Sequence, residues 1–145
     1  MSKSLLAGVI TGTSAAVAGT TVNATTASGL AKYDWLTVEA DLLGATGGTL
    51  DVYIQRKLAT NLWRDWIHFP QLAGGAAAVK YSVQPQASSS IVAVGGGTDA
   101  APGVALAANT TIGGHPGDVL RVVLVAGAGT SAGAAYTVRV MGWKN

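Results

Sequence analysis

Two histidines and seven carboxylates are the side chains from which acid–base chemistry would have to be built. His68 lies in Trp63-Arg64-Asp65-Trp66-Ile67-His68-Phe69, a segment with strand character. On a regular strand Asp65 and His68 are three positions apart, face opposite sides, and would not orient each other. His115 falls in Gly113-Gly114-His115-Pro116-Gly117, a turn, where it reads as an exposed loop residue. Glu39 and Asp41 share one strand face, and a glycosidase needs two carboxyl groups about 5–10 Å apart. Their surroundings read instead as the solvated side of an amphipathic strand. Asp99 and Asp118 lack the Asp-x-Asp-x-Asp loop of a calcium site. Gly95-Gly96-Gly97 lacks the Lys-Ser/Thr and the helix that a phosphate cradle requires. Cysteine is absent from the chain, which removes thiolate metal ligands and a thiol nucleophile together. The expectation is a protein that is not an enzyme, with no catalytic, cofactor-binding or metal-binding residues.

The aromatic residues carry the other kind of chemistry, recognition. Trp35, Trp63, Trp66 and Trp143, with four tyrosines and Phe69, are nearly all the large rings available. In a core otherwise made of Ala, Val and Leu, each Trp offers about 150–250 Å² of burial. Strand alternation sends Trp63 and Trp66 to opposite faces, so one is expected in the core and the other at a contact. Trp63, Arg64, Trp66 and Trp143 are the candidate interface residues. A carbohydrate-binding module, using Trp63 or Trp66 as a sugar platform, is the competing reading.

The elements that must position these residues are strands. Leu36, Val38, Ala40 and Leu42 alternate with Thr37, Glu39 and Asp41, and Leu50, Val52 and Ile54 alternate with Asp51, Tyr53 and Gln55. The glycine-rich turn between them suggests an antiparallel hairpin. Further strands are expected at 62–69, 77–83, 90–94, 104–112, 119–125 and 136–143, most separated by Gly or Pro. No segment holds a helical period. The predicted fold is an all-β antiparallel two-sheet sandwich of jelly-roll type, residues 31–145. Residues 1–30, with one charge and no aromatic ring, read as an extended N-terminal arm: one or two weak strands, or a segment that orders against a neighbour.

Charge is the most telling aspect of composition. Only 11% of the 145 residues are charged, against about 25% in a typical soluble domain. Exposed positions must then be filled by Thr, Ser, Ala, Gly and Gln, whose surfaces cost little to desolvate against another protein. The scattered Lys and Arg residues form no basic stripe, so nucleic acid is not an expected partner. No apolar run reaches membrane-spanning length, and the six-residue run Leu5 to Ile10 is short for a signal peptide. No membrane or small-molecule partner is expected.

The segments Leu50-Asp51-Val52-Tyr53-Ile54-Gln55-Arg56 and Trp63-Arg64-Asp65-Trp66-Ile67-His68-Phe69-Pro70-Gln71 resemble small virion proteins of tailed bacteriophages, among them capsid decoration, or cement, proteins of jelly-roll type. The resemblance departs at the connection Lys57 to Leu62, where such proteins often carry glycine. It implies a capsid-surface protein that binds between major-capsid subunits, associates with itself as a homotrimer, and needs no cofactor. A neck or tail component of the virion is the nearest alternative.

Overall fold

The computed structural model describes residues 4–13, 19–43, 47–73, 79–83, 108–129 and 135–144, and these form strands without a helix. The strands are β1 (Ser4–Thr13), β2 (Gly19–Ala27), β3 (Trp35–Leu43), β4 (Thr49–Ala59), β5 (Leu62–His68), β6 (Leu72–Ala73), β7 (Val79–Val83), β8 (Thr110–Thr111), β9 (Leu120–Ala126) and β10 (Ala135–Trp143). They make two antiparallel sheets, one ordered β1-β10-β3-β7 and the other β2-β9-β4-β5-β8, with β6 continuing the β5 side of β4. The all-β sandwich follows from the alternation: Leu36, Val38, Ala40 and Leu42 face Leu50, Val52, Ile54, Val122 and Leu124 across one buried core. Each such side chain contributes roughly 1.5–3 kcal/mol of burial.

Three expectations are corrected by the pairing. The stretch read as an N-terminal arm contributes β1, paired along β10, and β2, paired along β9, with Ile10 and Ala27 in the core. β2, mostly Thr and Ala, and β1, whose apolar run Leu5 to Ile10 does not alternate, are held by strongly apolar partners, a tertiary effect that local pattern does not carry. The expected hairpin of β3 with β4 does not form, because the two lie in different sheets. The hairpin is β4–β5, closed at Thr60-Asn61, where Asn61 adopts a φ of 59°. The expected strand 104–112 is a strand only at Thr110–Thr111 among the described residues, and the candidate at 90–94 lies outside them.

At one end of the sandwich the β2–β3 connection is tied to its neighbours. Leu30 N donates to Asp118 O (3.2 Å) and Asp34 N to Trp143 O (2.9 Å), and beside them Lys57 N, on β4, donates to Val119 O (3.0 Å). Here the Tyr33 ring lies where a Cβ on Gly142 would stand, 2.3 Å from Cγ, so only glycine lets the ring pack onto β10.

Candidate functional site

The polar chemistry of the described residues gathers on the outward face of β4, β5 and β9. A β-bulge puts it there. Ile54 pairs with Ile67 and Gln55 with Asp65, so Trp66 is an extra residue on β5. The bulge resets the alternation, and Asp65 and His68 point to the same side, contrary to the expectation for a regular strand. Trp66 turns into the core, where it is fully buried.

Two groups of side chains result. In the first, the Asp51 carboxylate accepts from His68 Nε2 at 2.9 Å and from Gln71 Nε2 at 2.9 Å. Tyr53 stacks on the His68 ring, with centroids 3.9 Å apart. Burial, with the negative charges of Asp51 and Asp65, pushes the Tyr53 hydroxyl up to about 12. In the second group, Gln55, 0% exposed, bridges two charges. Its Nε2 donates to Asp65 Oδ1 at 2.9 Å, and its Oε1 accepts from Arg121 Nε at 2.9 Å. The Arg121 guanidinium lies over the Trp63 ring at 4.2 Å, and the Lys57 ammonium stands 5.8 Å from the same ring.

An Asp–His pair is half of an acid–base relay, but a relay needs a nucleophile within hydrogen-bond reach. Two of the partners of His68 are a carboxylate and a stacked phenol ring, and neither is a nucleophile. The sequence does contain one Gly-x-Ser-x-Gly match, Gly129-Thr130-Ser131-Ala132-Gly133. A nucleophile elbow joins a strand to a helix, whereas this segment joins β9 to β10, and residues 130–133 lie outside the described ones. Among the described residues no group of His, Cys, Asp and Glu is arranged to hold a metal ion. A cavity of about 180 Å³ opens between β5 and β7, lined by His68, Phe69, Tyr81 and Thr111 among others. It falls below the roughly 300–1,000 Å³ of a small-molecule site, whereas an open hollow of about 430 Å³ on the other sheet is lined by Asp41, Lys80 and Arg139 among others.

No protein-family model matches the chain, and no curated protein is detectably similar to it.

Of the four interface candidates, Trp66 is in the core, and its Nε1 has no hydrogen-bond partner. Trp63 is on the opposite face, as the alternation requires, yet it is 9% exposed and held by Arg121, so it offers little contact surface. Arg64 is half-buried, its Nη1 donating to Trp63 O at 3.0 Å. Trp143 is half-buried on the outward side of β10, donating from Nε1 to Thr37 Oγ1 at 3.2 Å. His115 is not the exposed loop residue expected: it is half-buried, and its Nδ1 accepts from Gly117 N at 3.0 Å.

The exposed large apolar residues are others: Leu58 (51%), Trp35 (44%) and Leu62 (37%). Leu58 and Leu62 flank the β4–β5 turn, and a Leu-x-x-x-Leu pair around Thr60-Asn61 is the signal that would have singled them out. On the outward face of the other sheet, Asp41 pairs with Arg139 and, at 3.8 Å, with Lys80. The hydrogen bond from Arg139 holds the Asp41 carboxyl below its ordinary range.

Proposed function

We propose that the chain is a structural virion protein that decorates a bacteriophage capsid and stabilises it by binding between major-capsid subunits. One observation carries the reading: the two segments that resemble phage virion proteins, 50–56 and 63–71, fall on β4 and on β5 with its extension, neighbours in one sheet. The similarity therefore concerns one continuous structural unit. The strand pairs β1·β10, β2·β9, β3·β7 and β4·β5 are nested, as in a long hairpin rolled into two sheets, which supports the jelly-roll assignment. The scarcity of charge supports broad protein contacts over life as a free monomer.

The mechanism is mechanical. Each copy buries weakly charged surface against shell subunits, so expansion or rupture of the shell must first break those contacts. Assembly as a homotrimer multiplies modest single-site affinities. Binding to the intact lattice stabilises it by RT ln(1 + [L]/Kd), about 2.7 kcal/mol per site at a hundredfold excess over Kd. The test compares heat-induced genome release from particles with and without the protein. A higher release temperature in its presence is expected. Identical release curves would remove the cement role and leave a neck or tail component as the reading to pursue.

A further inference from the structure

We infer that the outward face of the β1-β10-β3-β7 sheet is a glycan-binding face, and that its ligand is a neutral oligosaccharide lying along β3 and β10. The inference goes beyond the decoration reading and is tested separately from it.

The first observation is aromatic. Trp35, 44% exposed, is the one aromatic ring left exposed, and it stands on the outward side of β3, next to the buried Leu36. Register sets Trp143 of β10 directly opposite it, and Cβ atoms of such a pair lie about 4.5–5.5 Å apart. The bond from Trp143 Nε1 to Thr37 Oγ1 fixes the second indole. Two neighbouring indoles, one of them held in place, make a platform on which the C–H face of a sugar ring can pack, an apolar contact made by amphipathic side chains. Trp63 and Trp66, the rings that the sequence offered for this task, are both buried and cannot perform it.

The second observation is the hollow beside the platform. Glu39 follows Trp35 by four residues on β3, roughly 13 Å along the strand. There the hollow of about 430 Å³ opens, lined by Glu39, Asp41, Lys80, Tyr81, Ser82 and Arg139. That volume lies within the roughly 300–1,000 Å³ of a ligand site. The row between platform and hollow, Thr37 opposite Met141, carries no charge. A ligand that reaches both must be a chain of sugars and not a single one.

The third observation is the polarity of the hollow. Two carboxylates meet two cations there, so neither a polyanion nor a polycation gains from net charge. Arg139 stands opposite Glu39 but donates to Asp41. Glu39, half-buried, makes no hydrogen bond or ion pair among the described residues. A carboxylate only accepts, and Lys and Arg only donate, whereas a hydroxyl does both. Sugar hydroxyls can therefore donate to Glu39 and accept from Lys80 without displacing the Asp41–Arg139 pair. A protein side chain that brought a single charge would have to displace it.

The experiment presents the full chain to an array of neutral tetrasaccharides of glucose, mannose, galactose and N-acetylglucosamine, with sulfated counterparts beside them, and measures each hit by titration calorimetry. Binding of a neutral tetrasaccharide with a Kd below about 1 mM is expected. Trp35→Ala should weaken it about tenfold or more, the scale of a lost anchor. Glu39→Gln keeps the shape and halves the acceptors, and should weaken it about threefold to tenfold. Both side chains reach solvent, so melting temperatures should match the parent, and Leu58→Asp on the hairpin of the other sheet should bind normally. No neutral tetrasaccharide bound at about 1 mM would overturn the inference, as would Trp35→Ala and Glu39→Gln both binding as the parent does. Binding confined to the sulfated glycans and abolished by salt would also overturn it, by making the face an ion exchanger.

Discussion

Replacing Gln55 with leucine tests whether the outward face of β4, β5 and β9 is a sealed polar network. The change is nearly volume-conserving, so packing loss stays small. It removes two hydrogen bonds, one to the Asp65 carboxylate and one from the Arg121 guanidinium, at a position with no solvent exposure. A hydrogen bond to a charged group contributes about 1.5–3 kcal/mol when its partner is left buried. Asp65 and Arg121 are 3% and 8% exposed, so neither recovers its full hydration. Two lost bonds, less roughly 1 kcal/mol for the added apolar burial, predict a loss of about 2–5 kcal/mol. For a chain of this size that lowers Tm by roughly 10 °C. Urea unfolding should show a reduced midpoint with an unchanged m-value. A double-mutant cycle with Arg121→Leu should show coupling of about 1–2 kcal/mol, since both changes remove the same bond. A loss below about 1 kcal/mol would refute the reasoning, because it would mean that water replaces Gln55 and the face is not sealed.

Burial pushes Tyr136 up to about 12, as it does Tyr53, and both exceed the ordinary value of about 10. A raised folded value is stabilising below pH 10 and is lost between pH 10 and 12, so denaturant midpoints should fall steeply across that window while phenolate absorbance lags the expected titration. Gly142→Ala places a methyl group against the Tyr33 ring and should cost about 1–3 kcal/mol, read by chemical denaturation; a neutral result would show that the ring moves freely. Trp66→Phe deletes an N–H that is buried without a partner, so its cost should fall well below the roughly 3–5 kcal/mol of Trp66→Ala; equal losses would show that the indole nitrogen is satisfied after all.

The strands with their own alternation were legible in the sequence. The pattern from Leu36 to Leu42 marks β3, that from Leu50 to Gln55 marks β4, and Tyr136, Val138 and Val140 mark β10, each to within a few residues. Partners were not legible, because β3 turns away from the adjacent β4 to pair with β10 and β7. Nor was the part played by β1, an apolar run without alternation, and β2, mostly Thr and Ala, which take their strand state from β10 and β9. The polar face was hidden by one inserted residue. Strand alternation is a phase, and the bulge at Trp66 shifts it, so the same rule that placed Trp63 and Trp66 on opposite faces misplaced Asp65 against His68. The hold of Arg121 on Trp63 joins segments far apart in the chain and has no local signature. Tyr53 and Gln55 on the outward side of β4, where Thr or Lys would be ordinary for a solvated face, were the available hint.

The two outward faces of the sandwich differ in how their polar groups are satisfied. The outward side of the β4–β5–β9 surface spends its polar groups on one another: Gln55 neutralises the demand of Asp65 and Arg121, and Asp51 answers His68 and Gln71. Such a face has few groups left to match a partner. The outward side of the other sheet carries Asp41 between Lys80 and Arg139, half-exposed, where salt and water already screen the charges. A partner docking there would have to break that pairing with little return. The hairpin end differs in kind, because Leu58 and Leu62 stand exposed there.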